Sequence, residues 1–472
     1  MYIIKKEKIF KIQAQKHSYE NIYSILIIFL SMILLLCFFS PFLESDDKLY
    51  AQNQNLTVIL PTISDPNLKV ESVAKNFDFP TSIEFLGKDD ILLLEKNTGN
   101  VYRIVNGNVS KPLIHIDVTS KDERGLLGIA VSGKENDQLN NNNSAIFLYF
   151  TECTKGMDGT NNGTGDCSNF VYRYKLDTKN NKLIEPKLLL KLPALPGPSH
   201  NGGVLKMDKD KNLYVTIGDL QTTAFNQNKT GYDTKAQNII NGTPPDGRSG
   251  ILRITQDGKP VGNGTLGVDY PLNLYYAYGI KNSFGIGLDP VTDNLWDTEN
   301  GPQFGDEINL VKPGFNSGWE KVQGIWRLNQ TREKDAIFDN STKGVEFADF
   351  GSKGKYSDPE FVWDKPVAPT ALVFLNSDKL GQQYVNDMFV GSAKKGTIFH
   401  FDLKPDRESL ALIGDLADFV YSKKEDSSNI VFGENFGVVT DLKVGPDGYL
   451  YVVSASGGTG EGTIYRIVPN LK

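Results

Sequence analysis

The chain is 472 residues long, and its 57 acidic and 50 basic residues leave a net charge of −7 at neutral pH. With no long basic run, it lacks the electrostatic footprint of a nucleic-acid binder, so phosphate backbones are excluded as partners. The length would hold two or three average domains, yet all-β propellers and barrels often run this long as one unit.

Residues 1–43 read as a basic head followed by an apolar segment. Lys5, Lys6, Lys8, Lys11 and Lys16 precede an uncharged, largely apolar stretch from Ile22 to Phe39, which continues through Pro41 to Leu43. A helix of about 20 residues spans about 30 Å of hydrocarbon, so the stretch is long enough for a transmembrane anchor. Its basic flank stays inside, which places everything after Glu44 outside. A cleaved secretory signal has the same polarity with a shorter apolar core, and the small Ala51 offers a cleavage site, so both readings stand. Either one puts the rest of the chain on the extracellular face of the membrane or in the medium.

Nine N-x-S/T sequons, at Asn55, Asn108, Asn142, Asn162, Asn228, Asn241, Asn263, Asn329 and Asn340, agree with export and with a glycoprotein. Of the three cysteines, Cys37 lies in the apolar segment, leaving Cys153 and Cys167 on either side of a Gly/Asn-rich loop. In an oxidising compartment one disulfide between them is the simplest account, contributing about 3 kcal/mol by chain entropy.

A polar linker, residues 44–74, leads into short β-rich runs broken by Gly, Asn, Asp and Pro. Two phrases recur. One alternates apolar and polar residues around a basic position: GNVYRI (99–104), NFVYRY (169–174), SGILRI (249–254), GTIFHF (396–401) and GTIYRI (462–467). The other places a D-G or D-N turn before an apolar strand: KDDILLLE (88–95), DKNLYVTIGD (210–219), TDNLWDTE (292–299) and PDGYLYVVS (446–454). Alternation between turn residues is the strand signal, and its return at long period marks an array of similar sheets. Six units follow, at about 77–104, 126–177, 200–254, 276–311, 367–403 and 437–467. The expected fold is an all-β, six-bladed β-propeller preceded by an N-terminal transmembrane or signal helix, with insertions 220–245 and 320–360 as loops over one face.

The candidates for chemistry are few. Of four histidines, His17 sits in the head, His115 alternates with apolar residues, and His400 occupies the basic position of a repeated phrase. His200 differs, because PSHNGGV places it in a turn whose Gly202 and Gly203 allow close backbone approach by a ligand. The segment ENGPQFGDEINLV offers hard oxygen ligands of the kind Ca²⁺ prefers: Glu299, Asp306, Glu307 and the carbonyls of Gly301 and Pro302. Such acidic turns are also often simply solvated.

The order DERGLLGIAVS, PSHNGGVLKMD, YAYGIKNSFGIGLDP, ENGPQFGDEINLV, GFNSGW, VAPTALVF, GSAKKGTIFHFDL and VTDLKVGPDGYLYVV resembles the soluble glucose/sorbosone dehydrogenase family, also called aldose sugar dehydrogenases. The likeness covers about residues 75–468. It implies oxidation of the C1 hydroxyl of an aldose or related sugar, with pyrroloquinoline quinone (PQQ) and Ca²⁺ as cofactors, a separate electron acceptor, and homodimers in many members. Residue by residue it implies that His200 is the base, that Gly301 and Pro302 hold the cofactor Ca²⁺, and that Glu123, Lys281, Asn282 and Lys394 contact the quinone.

The chain also departs from the family pattern. Glu123 stands for Gln, Ser199 for Asp, Lys281 for Arg and Ser317 for Tyr, and the Arg pair that anchors quinone carboxylates appears as Val438 and Thr440. At about 1.5–3 kcal/mol for each charge-assisted bond, losing two predicts cofactor binding weaker by roughly 10² to 10⁴. Two other readings remain on the same scaffold. One is a non-catalytic extracellular propeller that binds glycan or protein, and the other is a Ca²⁺-dependent lactonase or esterase using His200 without a quinone.

Overall fold

A computed structural model describes residues 60–133, 144–154, 166–220, 238, 240, 244–328, 337–339, 341–422, 429–455 and 461–470. The expected anchor or signal lies outside these residues. Among the described residues no helix is long and apolar enough to cross a membrane.

The fold is all-β and propeller-like. Six sheets of four or more strands follow one another along the chain, with a separate three-stranded sheet built from Val322–Gln323, Trp326–Leu328 and Ile337–Asp339. Sheets I to VI begin with the strands Pro80–Gly87, Leu126–Ser132, Leu205–Met207, Ser283–Leu288, Pro369–Phe374 and Val438–Val444, each at one edge of its sheet. Each predicted unit keeps its strands in one sheet, except that Tyr275–Tyr278, from the start of the fourth unit, pairs with Gly250–Ile254 and so joins sheet III.

The two repeated phrases become the second and third strands. The apolar phrase forms second strands such as Asp90–Glu95, Leu213–Ile217 and Leu450–Ala455, in which almost every residue is buried. They are covered on both faces by neighbouring sheets, which is why they read as continuous apolar runs. The alternating phrase forms third strands such as Asn100–Val105 and Gly462–Pro469, in which buried apolar residues are interspersed with partly exposed ones. Their basic residues reach back to the acid at the turn before the second strand. Arg103 bonds Asp90, Arg253 bonds Asp208 and Arg466 bonds Asp447.

Uniform blades were expected, but only sheets II and VI have four strands. Sheet III takes in Phe315–Asn316 and Lys355–Tyr356 through parallel pairs, and sheet IV takes in Phe361–Trp363 and Val420–Tyr421. Of these strands only Lys355–Tyr356 falls within an insertion, 320–360, which also forms the separate three-stranded sheet; the other three come from segments between the predicted units. The residues from Leu68, assigned to the linker up to 74, form the strand Leu68–Phe77, which pairs antiparallel with the last strand, Gly462–Pro469.

Six main clusters of the core lie one between each pair of successive sheets, beside two small ones around Cys153 and Cys167 and around Trp319 and Leu328. Leu92 and Ile129 belong to the cluster between I and II, and Phe147 and Leu213 to that between II and III. Ile251 packs with Leu295, Ile308 with Met388, and Phe389 with Val439. Phe85 of sheet I packs with Tyr451 of sheet VI, so the ring closes. At its middle, where the first strands of all six sheets meet, lies a cavity of about 250 Å³ lined by Ser82, Leu127, Lys206, Phe284, Ala371 and Asp441, among others.

Cys153 and Cys167, directly opposite in the second hairpin of sheet II, are joined by the expected disulfide. Asn108 and Asn263 are exposed, as glycan acceptors must be, and the other seven sequons lie outside the described residues.

Candidate active site

His200 lies between the last strand of sheet II, Lys182–Pro193, and the first of sheet III. Its φ of 62° is in the left-handed region, uncommon for a residue with a Cβ and costing on the order of 1 kcal/mol or more. The surroundings enforce it. Its N–H donates to Glu123 Oε2 at 2.6 Å, while Arg124 Nη2 and Arg248 Nη1 donate to the carbonyls of Ala194 and Leu195 in the approach to it. Both arginines thus brace the loop that carries the histidine, and Arg248 is further paired with Asp246.

The ring is fixed at both nitrogens. Nδ1 lies 2.6 Å from Asp219 Oδ1, and Lys281 Nζ lies 3.1 Å from Nε2. A lysine ammonium only donates, so Nε2 is the acceptor and the ring proton sits on Nδ1, pointing at the carboxylate. Asp219 is itself immobilised. It is fully buried, its Oδ2 accepts from Trp319 Nε1 at 2.7 Å, and its N–H bonds the Lys281 carbonyl at 2.9 Å. The preceding Gly218 makes the approach possible, since a Cβ there would lie 2.4 Å from the Lys281 carbonyl oxygen and 2.5 Å from that of His200. Lys281 Nζ also sits 5.8 Å over the Trp319 ring.

Glu123 ties this base to the next segment, because its Oε2 also accepts from Asn282 Nδ2 at 3.0 Å. Asn282 Oδ1 is buried with no protein partner. The Lys281 N–H bonds Glu299 Oε1 at 2.7 Å, linking the base to the acidic cluster of sheet IV.

That cluster follows from strand register. Asp297 and Glu299 lie two apart on the strand Leu295–Glu299, opposite Asn309 and Glu307 respectively on Asp306–Val311, so all four share one face. All are buried, and Ser317 Oγ lies 2.5 Å from Glu299 Oε2 and 3.2 Å from Glu307 Oε2. Burial pushes Asp297 up to about 7 and Glu307 up to about 8, and raises Glu299 well above the carboxylate range, with Glu307 and Asp297 adding repulsion. Asn309 and Ser283 lie alongside Asp297 without reaching hydrogen-bond geometry, so both its carboxylate oxygens, together with Asn309 Oδ1 and Gln323 Oε1, are buried without a hydrogen-bond partner.

Three buried carboxylates, with both Asp297 oxygens left without a partner, offer the hard oxygen donors that a cation such as Ca²⁺ takes. Asp306 is placed differently from the others. Its two oxygens are taken up by the N–H groups of Gly301, Val367 and Ala368, so it clamps the Gly301–Pro302 turn against sheet V.

A quinone tricarboxylate fits on one side only. Lys281 and Asn282, with its orphaned oxygen, face the His200 side. On the central cavity itself, Val438 carries no charge and Thr440 Oγ is bonded to the carbonyls of Pro80 and Val453. Lys394 and Lys395 are exposed, following Ala393 of the cavity wall, and among the described residues no hydrogen bond or ion pair joins them to His200.

Asp219, Trp319 and Asp297 were missed in the sequence. Asp219 closes the wholly buried strand phrase LYVTIGD, where a carboxylate with no water to reach is itself a signal, and Asp297 alternates with Glu299 in TDNLWDTE.

A histidine held by a buried carboxylate in its base tautomer, linked through Lys281 to a buried carboxylate cluster, defines an acid–base enzyme site. The chain belongs to the glucose/sorbosone dehydrogenase family, which it matches over residues 77–466, and is therefore an oxidoreductase. It is similar to the aldose sugar dehydrogenase YliI of Escherichia coli, 25% identical over 392 residues that cover 82% of this chain and 90% of the relative. It is likewise similar to quinoprotein glucose dehydrogenase B of Acinetobacter calcoaceticus, 25% identical over 446 residues covering 83% and 86%. Among solved structures, the PQQ-bound aldose sugar dehydrogenase of Streptomyces coelicolor shares the fold at a TM-score of 0.56 and 22% identity, covering 85% of this chain and 98% of that one.

Proposed function

We propose that this protein oxidises the C1 hydroxyl of an aldose or related sugar, outside the cytoplasmic membrane, with PQQ and Ca²⁺ bound. The observation that carries the reading is the His200–Asp219 pair, with Nε2 as the accepting nitrogen. The names of the relatives supply the sugar and the quinone, and the Cys153–Cys167 disulfide supports an oxidising compartment. We take the six sheets that meet at the cavity as six blades.

Glu299, Glu307 and the carbonyls of Gly301 and Pro302 are the residues that would hold Ca²⁺, and Lys281 and Asn282 those that would face the quinone. When bound, the pair supplies a two-electron acceptor polarised by a Lewis acid, which takes the C1 hydride. His200 Nε2 takes the hydroxyl proton as the C1–O bond becomes a carbonyl, giving the lactone. Asp219 holds the ring in the required tautomer and stabilises the imidazolium that forms. A sugar hydroxyl donating to Nε2 displaces the Lys281 bond and leaves that ammonium beside the oxygen gaining charge.

The test is reconstitution of the purified protein with PQQ and Ca²⁺, following dye reduction with several sugars. His200→Ala should lower kcat by at least about 10², and Asp219→Asn by a comparable factor through the wrong tautomer, with the PQQ Kd changed only a few-fold. An unchanged rate in His200→Ala would refute its role. No PQQ binding at micromolar concentration would sink the quinoprotein reading and favour a glycan- or protein-binding propeller, the reading that Val438 and Thr440 support.

A further inference from the structure

The third strands of the sheets carry an internal control. In sheets I, III and VI the basic position is arginine, paired with the acid at the turn before the second strand, and two residues later stand Val105, Thr255 and Val468. Sheet V breaks both rules. His400 replaces the arginine, Asp387 is the turn acid, and a second carboxylate, Asp402, stands where its sisters have none. The register makes the three converge, since Phe389 pairs with His400 and Met388 with Phe401 at the end of the hairpin away from Ala393 and the central cavity.

His400 Nε2 lies 3.0 Å from Asp387 Oδ2 and 3.5 Å from Asp402 Oδ1, and the three ligand atoms all lie within 4.8 Å of one another. Bonds of about 2.0–2.2 Å to nitrogen and oxygen give tetrahedral ligand-to-ligand edges of about 3.3–3.6 Å, close to these separations. The imidazole is walled by Phe389, with ring centroids 4.9 Å apart, and by Tyr384, edge-on at 5.2 Å. Its Nε2 edge therefore has little freedom to turn from the carboxylates. Asp387 is buried and Asp402 exposed, which leaves the open side of the triad to water. Among the described residues no lysine or arginine forms an ion pair with either aspartate, whereas an arginine neutralises the turn acid in the sister sheets.

We propose that Asp387, His400 and Asp402 form a site for a first-row divalent cation, of which Zn²⁺ is the best match to one imidazole, two carboxylates and a water. The site is separate from the acidic cluster of sheet IV and does not depend on the sugar-oxidising reading. Its test is titration of the full-length chain with ZnCl₂ in excess Ca²⁺, read by competition with a chromogenic chelator, with Co²⁺ as a spectroscopic probe.

One equivalent of Zn²⁺ should bind at micromolar Kd or tighter. His400→Arg, which restores the sister-sheet residue and keeps a partner for Asp387, should abolish binding while leaving the thermal transition in place. Asp402→Asn should weaken binding at least ten-fold. Absence of saturable Zn²⁺ binding, or binding that either substitution leaves within a factor of three, would overturn the site and leave His400 as the local equivalent of the repeated arginine.

Discussion

Val438 opens onto the same cavity as Asp441, so the wall they share presents a carboxylate and an apolar side chain to any bound anion. A guanidinium there would restore one charge-assisted contact to a quinone carboxylate. At about 1.5–3 kcal/mol for such a bond, Val438→Arg should tighten PQQ binding by roughly 10- to 100-fold, read by fluorescence titration with the metal saturated. Unchanged affinity would show that the quinone, if bound, does not reach this wall. Glu360 is a second informative residue, away from the chemistry. Burial pushes its carboxyl up to about 7 from 4.5, with Asp406 and Glu408 adding to the shift and Lys404 opposing it. Between those values the folded chain keeps a proton that the unfolded chain has lost, so this group lowers stability as pH rises through that window. Glu360→Gln should therefore leave stability at pH 4 unchanged and raise it at pH 8 by about 1–2 kcal/mol, a figure discounted for the side chain's partial exposure. Equal melting shifts at both pH values would argue against titration as the cause.

At the scale of the element, the hairpin of Ala145–Cys153 and Cys167–Asp177 shows what a local pattern can specify. The two cysteines are buried and directly opposite, at the end where the hairpin opens into its loop. Replacing both with serine should lower unfolding free energy by about 3 kcal/mol, since the 14-residue separation sets the loop entropy released to the unfolded chain. A urea midpoint that does not move would mean the strand register alone holds the hairpin. The same locality governs what could be read from the sequence. Second and third strands were legible because burial, on two faces or interspersed with partly exposed residues, writes itself into consecutive positions. Phe315–Asn316, Lys355–Tyr356 and Val420–Tyr421 were not, because each is a short parallel addition whose partner lies far along the chain. In the site, His200 was found by its Gly-rich turn and Glu299 and Glu307 by their spacing. Asp219 and Trp319 escaped because they meet only when sheet III and the segment after sheet IV fold together, 100 residues apart in sequence.

At the scale of the whole molecule, the same limit hid the strand that shuts the ring. Leu68–Phe77 carries mixed burial and lies beside a polar linker, yet it pairs along the length of the last strand, from Leu68 opposite Pro469 to Phe77 opposite Gly462. Its apolar residues also serve two of the six clusters, Leu68 between sheets V and VI, and Ala74 and Phe77 between VI and I. Burying a leucine and a phenylalanine contributes about 1.5–3 kcal/mol each, and the ladder adds main-chain bonds that would otherwise face water. Against a typical net stability of about 5–15 kcal/mol, that contribution decides whether the ring stays closed. A chain beginning at Leu60 should therefore keep one cooperative thermal transition, whereas one beginning at Asp78 should lose it and expose Gly462–Pro469 to protease and amide exchange. Adding a peptide of residues 60–77 in trans should restore protection to that last strand first. If the shorter chain melts as sharply as the longer one, closure rests on the six side-chain clusters alone and the strand is an accessory.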